Sequence, residues 1–212
     1  MDNYWEQRYR GEGKIWGDRP SVTAAYACRH FLGKGVKSVF IPGIGYGRNA
    51  RTFVAEGMVV SGIEVSDGAV RILKHDLPDV QCHEGSVLDI PFGGPYDAIY
   101  CFNVLHLFRA DDRRTFLGNC REALADGGLA FFTVFSEKEP SYGKGAEVEP
   151  CTFESKPGRP VHYYSDEDLR SQFMEFNVLE SGLIEDPEDH GTEGPHVHIL
   201  RYVLAQNPCK SI

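Results

Sequence analysis

Val39-Phe40-Ile41-Pro42-Gly43-Ile44-Gly45-Tyr46-Gly47-Arg48-Asn49, with Gly62-Ile63-Glu64-Val65 behind it, is the stretch that decides the fold. Its opening apolar run reads as a buried strand. Three glycines at alternate positions follow, then a helix-compatible run from Arg48 to Glu56. Glycine has no Cβ, so the backbone there turns sharply and comes close to a ligand. A helix starting just after such a turn offers free N–H groups and a partial positive charge. Glu64 lies 21 residues after Gly43 and ends the next apolar run, Met58 to Ile63. An acid about 20 residues on, at the end of a second strand, is where nucleotide-binding βαβ units hold a ribose diol. The combination predicts a nucleoside-containing cofactor.

Outward from this unit, strands and helices alternate. Upstream, Ser21 is the expected N-cap of a helix from Val22 to Leu32, and Trp5, Tyr9 and Trp16 mark residues 1–20 as an aromatic flap. Downstream, Ser66 caps a helix to about His75, and strands are predicted at 80–83, 96–102 and 129–135. The last of these is nearly all apolar, as a strand covered on both faces should be. A helix from Asp111 to Ala125 precedes it, ended by Gly127-Gly128. Residues 137–160 show little periodicity and are expected to be irregular, so 137–164 reads as a lid-like insert. Ser165-Asp166-Glu167-Asp168 starts a further helix, and Val178–Ile184 and Val197–Ala205 form a final antiparallel pair. Between these two strands runs an acidic segment with Glu185, Asp186, Glu188, Asp189 and Glu193, expected to be a solvated hairpin tip. The alternation predicts an α/β fold with an open, mainly parallel sheet.

Composition bounds the function. The chain has 212 residues, enough for one domain with a sizeable core. A net charge of −9 disfavours a broad phosphate-binding surface, so no nucleic-acid partner is expected. No apolar run reaches the ~20 residues of a membrane span, and the first residues do not resemble a signal peptide, so a cytoplasmic location is expected. The six cysteines include no C-x-x-C pair and are expected to be reduced packing residues.

In these segments the chain resembles a class I S-adenosylmethionine-dependent methyltransferase. The resemblance rests on Val39–Asn49 as the glycine loop, Gly62–Ser66 as the acidic strand end and Gly85–Phe92 as an adenine loop. Tyr96–Phe108 as the fourth strand with its exit, and Leu124–Gly128 as the turn before strand five, complete it. A nicotinamide dehydrogenase needs G-x-G-x-x-G, and here the third glycine comes one residue early. The resemblance implies a Rossmann-like, doubly wound, seven-stranded sheet in a three-layer sandwich, mostly parallel with the last strand antiparallel, and S-adenosyl-L-methionine as cofactor. It implies that Gly43, Gly45 and Gly47 approach the methionine part, that Asn49 belongs to the cofactor site, and that Glu64 accepts from the ribose hydroxyls. Val65, Ser86 and Val87 would contact the adenine, and Asn103 and Trp16 would face the cofactor. Two departures stand out: Ile41 and Ser86 occupy positions where the family often has acidic residues. The aromatic N-terminus more loosely resembles the tellurite-resistance and thiopurine methyltransferase branch, which implies a small-molecule acceptor through S, Se/Te, N or O.

Ligands bind outside the carboxyl ends of the strands in such sheets, so the candidate catalytic residues are His106, His190 and His196. A hydroxyl or ammonium acceptor needs a base near neutral pKa, which histidine supplies. His196 and His198, with His190 nearby, have the spacing of metal ligands, but a polar pocket is the expectation and no metal is expected. The alternatives are a non-catalytic cofactor-binding domain, or a protein or RNA methyltransferase.

Overall fold

The computed structural model describes residues 4–89, 91–190 and 194–209. In chain order the elements are α1 (Tyr4–Glu12), α2 (Val22–Gly33), β1 (Ser38–Pro42), α3 (Ala50–Ala55), β2 (Val59–Glu64), α4 (Asp67–Asp76), β3 (Gln81–Glu84) and β4 (Tyr96–Phe102). After a 3₁₀ turn at Leu105–Leu107 come α5 (Ala110–Ala123), β5 (Leu124–Phe135), β6 (Ala146–Glu149), β7 (Thr152–Lys156), β8 (Arg159–His162), α6 (Asp166–Gln172), β9 (Asn177–His190) and β10 (Gly194–Gln206). Seven strands form one sheet in the order β3-β2-β1-β4-β5-β10-β9. The first five are parallel to their neighbours, and β10 is antiparallel to both β5 and β9.

Strand alternation divides the core into two layers. Phe40 and Phe132 point to the side covered by Phe116 of α5 and Leu169 of α6. Their neighbours Val39 and Phe131 point to the other side, against Phe31 of α2, Phe53 of α3 and Leu73 of α4. A strand buried on both faces needs apolar residues at every position, which is why β5 reads as a continuous apolar run. Ser21, Ser66 and Ser165 cap their helices through side-chain bonds to Thr23, Ala69 and Asp168 N–H, as expected from sequence. The six cysteines are all unpaired. Among the described residues no helix is long and apolar enough to cross a membrane.

Two expectations are corrected. Residues 137–160 are not irregular: β6, β7 and β8 form a separate antiparallel sheet. Strands of four or five residues, each with a register shift, carry too little alternation to be read from sequence. Nor is the acidic segment after residue 184 simply a solvated tip, because β9 and β10 continue through it. Asp186 and Glu188 are buried, while Glu185 and Asp189 face out. Their burial is sustained by partners on other elements, which sequence polarity cannot reveal. Leu200 pairs with Phe135, the last residue of β5, so residues 194–199 project past the carboxyl edge of the parallel strands.

Candidate functional site

The glycine loop leaves β1 at the carboxyl edge and is held by Gly43 and Ile44 N–H donating to Ile63 O on β2. Gly43 has φ of +67°, and a Cβ there would lie 2.6 Å from Val104 Cγ2. Gly45 has φ of +58°, and its Cβ would lie 3.0 Å from the Tyr9 hydroxyl. Both positions therefore demand glycine twice over, by conformation and by space.

Glu64 ends β2 beside this loop and is 6% exposed. Its carboxylate accepts from Gly45 N–H at 2.9 Å, Val65 N–H at 2.9 Å and Ser66 N–H at 3.0 Å. Burial pushes its pKa up, and these backbone donors partly offset that. A carboxylate has about four lone-pair positions, so a ribose diol must share or displace at least one of these bonds. Val65 beside it stays 41% exposed, an apolar surface at the mouth of the site.

The flap is anchored by Glu6, whose Oε2 accepts from Ser66 Oγ at 2.5 Å and Gly68 N–H at 3.0 Å. An acid at the N-terminus of α4 is favoured by the helix dipole. This contact sets Tyr9 over Gly45. The Trp16 ring lies parallel to Tyr46, and its backbone N–H donates to the Tyr46 hydroxyl.

The other residues implied by the resemblance occupy varied places. Asn49 is buried, and its Oδ1 accepts from Ser21 N–H, ordering the start of α2. Ser86 Oγ is half-buried and accepts from Leu88 N–H within its own loop. Val87 packs its side chain into the core. Asn103 has a positive φ of 56°, and its Oδ1 accepts from Thr133 Oγ1 at 3.0 Å.

Beyond the glycine loop the site is aromatic. His106 sits in the 3₁₀ turn, 2% exposed, with its ring stacked 4.4 Å from Phe135. Phe135 in turn stacks on His198 at 5.1 Å. His106 Nδ1 accepts from Phe135 N–H, so the neutral ring carries its proton on Nε2. Burial, with His198, His162 and Arg159 nearby, pushes its pKa down to about 3. Burial therefore favours the neutral ring, with Nε2 as its hydrogen-bond donor. Of His190 only the backbone is described. His196 is half-buried, with Nδ1 donating to Gly194 O and Nε2 3.2 Å from His198 Nε2.

Sequence reasoning singled out neither Arg48 nor Glu139, and it read Asp186 and Glu188 as solvated. Arg48, 7% exposed, donates to Glu188 Oε1 at 2.8 Å and lies against Phe102 and Trp16. Asp186 accepts from Ser21 Oγ and Val22 N–H, tying β9 to α2. Glu139 accepts from His198 Nδ1 at 2.8 Å and from Ile199 N–H. Only hairpin register could have found Glu188, which pairs with His196.

Residues 39–128 match the family described as "Methyltransferase domain". The dTDP-4-amino-2,3,4,6-tetradeoxy-D-glucose N,N-dimethyltransferase of Saccharopolyspora spinosa is 35% identical over 88 residues. That match covers 41% of this chain and 35% of the relative, so the chain spans about a third of the relative's length. Among solved structures, a chain described with the conversion of a disulfide bond into a thioacetal group during echinomycin biosynthesis has a TM-score of 0.77 at 17% identity. The match covers 100% of this chain and 93% of that one. The Burkholderia thailandensis 1,6-didemethyltoxoflavin-N1-methyltransferase, solved with its substrate and S-adenosylhomocysteine, has a TM-score of 0.68 at 17% identity, covering 95% and 84%. Both share the fold. Residues 39–128 thus match a methyltransferase domain, and the chain as a whole shares the fold of these solved structures.

Proposed function

We propose that this protein transfers a methyl group from S-adenosylmethionine to a small-molecule acceptor. The observation that carries the reading is Glu64, a buried carboxylate bound to the glycine loop at Gly45 and to the start of α4. The residues suit the cofactor: Glu64 accepts from a diol, and Val65 offers an apolar face to an adenine. When bound, the cofactor supplies an electrophilic methyl on a sulfonium.

The chain's own contribution is alignment and exclusion of water. Arg159 of the insert lies 3.8 Å from the Tyr4 ring centroid and 5.4 Å from that of Trp5, so insert and flap meet. Together they act as the lid over the site. The wall built from His106, Phe135, His198 and Tyr163 favours a planar or polarisable acceptor. His106 donates a hydrogen bond from Nε2 and takes no proton. The acceptor atom stays open among S, Se/Te, N and O. The amino-sugar acceptor of the Saccharopolyspora spinosa relative is not carried over, because residues after 128 lie outside the matched domain.

Calorimetry with S-adenosylhomocysteine tests the reading. Saturable binding at micromolar ligand is expected, and none at high micromolar ligand would remove the proposal. Labelled cofactor against a panel of thiol, amine, hydroxyl and metalloid acceptors then identifies the acceptor class. Binding without turnover on the whole panel would favour a non-catalytic domain.

A further inference from the structure

His196 and His198 stand on one face of β10, and the antiparallel register sets Glu188 of β9 opposite His196. One ligand atom from each of the three residues lies within 4.8 Å of the others. The two Nε2 atoms are 3.2 Å apart. Each ring's other nitrogen is anchored outward: His196 Nδ1 donates to Gly194 O at 2.8 Å, and His198 Nδ1 donates to the Glu139 carboxylate at 2.8 Å. Neither partner has a proton to give, so both rings carry N–H on Nδ1. With both Nδ1 protons directed outward, the two Nε2 atoms face the same small space beside Glu188, which suits a shared cation.

The geometry favours the metal. Two imidazole nitrogens on one tetrahedral ion at ~2.05 Å are about 3.3 Å apart, close to the separation found here. Ligating histidines commonly hold their other N–H on a carboxylate or backbone carbonyl, and both do so here. Glu188 Oε2 lies 3.9 Å from His198 Nε2, about 0.5 Å wider than a tetrahedral pair, so a small side-chain rotation closes the set. The other oxygen of Glu188 is held by Arg48, which fixes the carboxylate's orientation.

We propose that Glu188, His196 and His198 bind one divalent transition-metal ion, with zinc best suited to this nitrogen and oxygen donor set. Three protein donors leave a fourth position for water or an acceptor heteroatom. The site stands past the carboxyl edge of β5, next to the Phe135 wall, and ligation replaces the base role expected of His196. The proposal does not depend on methyl transfer.

Cobalt(II) chloride titrated into the tag-free full chain should develop visible d–d bands that saturate at one equivalent, and zinc should bleach them. His198→Ala should abolish saturation. Glu139→Gln, which removes the charge behind His198 and keeps an amide oxygen that Ile199 N–H can still reach, should weaken cobalt binding about ten-fold. His83→Ala, an exposed histidine on β3, should leave it unchanged. No saturable band at millimolar metal, or binding that survives His198→Ala, overturns the site. If that variant does not fold, the wild-type protein decides: zinc should shift the imidazole resonances of His196 and His198 together, and shifts confined to other histidines overturn it. S-adenosylhomocysteine affinity measured alongside separates loss of this site from loss of the cofactor site.

Discussion

At the residue scale, Glu64 and His106 show how burial directs chemistry. Glu64 has few polar partners other than backbone N–H groups, and its pKa is raised by burial. Replacing it with alanine removes charge-assisted acceptors for the ribose, and the affinity for S-adenosylhomocysteine should fall by about 1–3 kcal/mol. Calorimetry of Glu64→Ala measures this, and an unchanged affinity would take Glu64 out of the site. The pH dependence has a definite sign. Diol binding needs the ionised carboxylate, so affinity should fall on acidification, beginning above the ~4.3 of an ordinary glutamate because the folded value is raised. His106 makes the opposite case. With its pKa pushed down to about 3, it stays neutral across the physiological range and adds no limb near pH 6–7 to the rate profile. His106→Asn should leave the shape of the kcat/KM profile unchanged while lowering its height. Loss of an acidic limb near pH 6–7 in that variant would show that His106 is the base after all.

At the scale of elements, two attachments hold the flap and the insert to the main domain. Hydrogen bonds from Ser66 and Gly68 hold the Glu6 carboxyl below its ordinary value and fasten α1 to α4. A depressed carboxylate stabilises the fold above its unfolded value and loses that contribution as pH falls through the folded value. Docking of the flap should therefore be complete above about pH 5 and lost progressively on acidification below the ordinary ~4.3. The fluorescence of Trp5 and Trp16 reports it, and Glu6→Gln should remove the pH dependence. The insert has its own clamp. His162 is 4% exposed and bridges Thr152 Oγ1 on β7, at 2.8 Å, to Asp168 Oδ2 on α6, at 2.6 Å. This Thr-His-Asp chain has the residue types of a hydrolytic triad, but it is buried and joins the insert to the main domain. His162→Ala strips a partner from both groups and should cost about 1–3 kcal/mol, read as a lower denaturation midpoint.

At the scale of the molecule, the sheet is both the support of the site and the source of stability. Phe132 on β5 is fully buried and meets Phe173 edge-on at 5.1 Å, joining the strand to the region that follows α6. Phe132→Ala should cost about 3–5 kcal/mol, a large part of the ~5–15 kcal/mol that holds a typical domain. Urea unfolding followed by circular dichroism measures it. The β9–β10 hairpin extends the sheet beyond its edge and brings residues distant in sequence to the glycine loop. Arg48 and Glu188, 140 positions apart, meet there as a buried pair. Truncating either partner removes a buried charge-assisted bond, so these two residues join the glycine-loop half of the chain to the β9–β10 half.

The amino-acid sequence by itself determined the sheet's parallel part, the three serine caps, the glycine loop and Glu64. These are local: alternation, caps and turn residues are set by neighbours a few positions away, and the acid follows its loop at a short, regular interval. The tertiary structure alone decided which polar groups turn inward. Glu188 and Asp186 read as solvated charge until β9 is paired with β10 and set against Arg48 and Ser21. His106 reads as an open base until packing buries its ring against Phe135 and pushes its pKa down. The glycine loop and Glu64 mark out the proposed cofactor site within one βαβ unit. The acceptor side is assembled by long-range contacts, and their electrostatics exist only once the chain has folded.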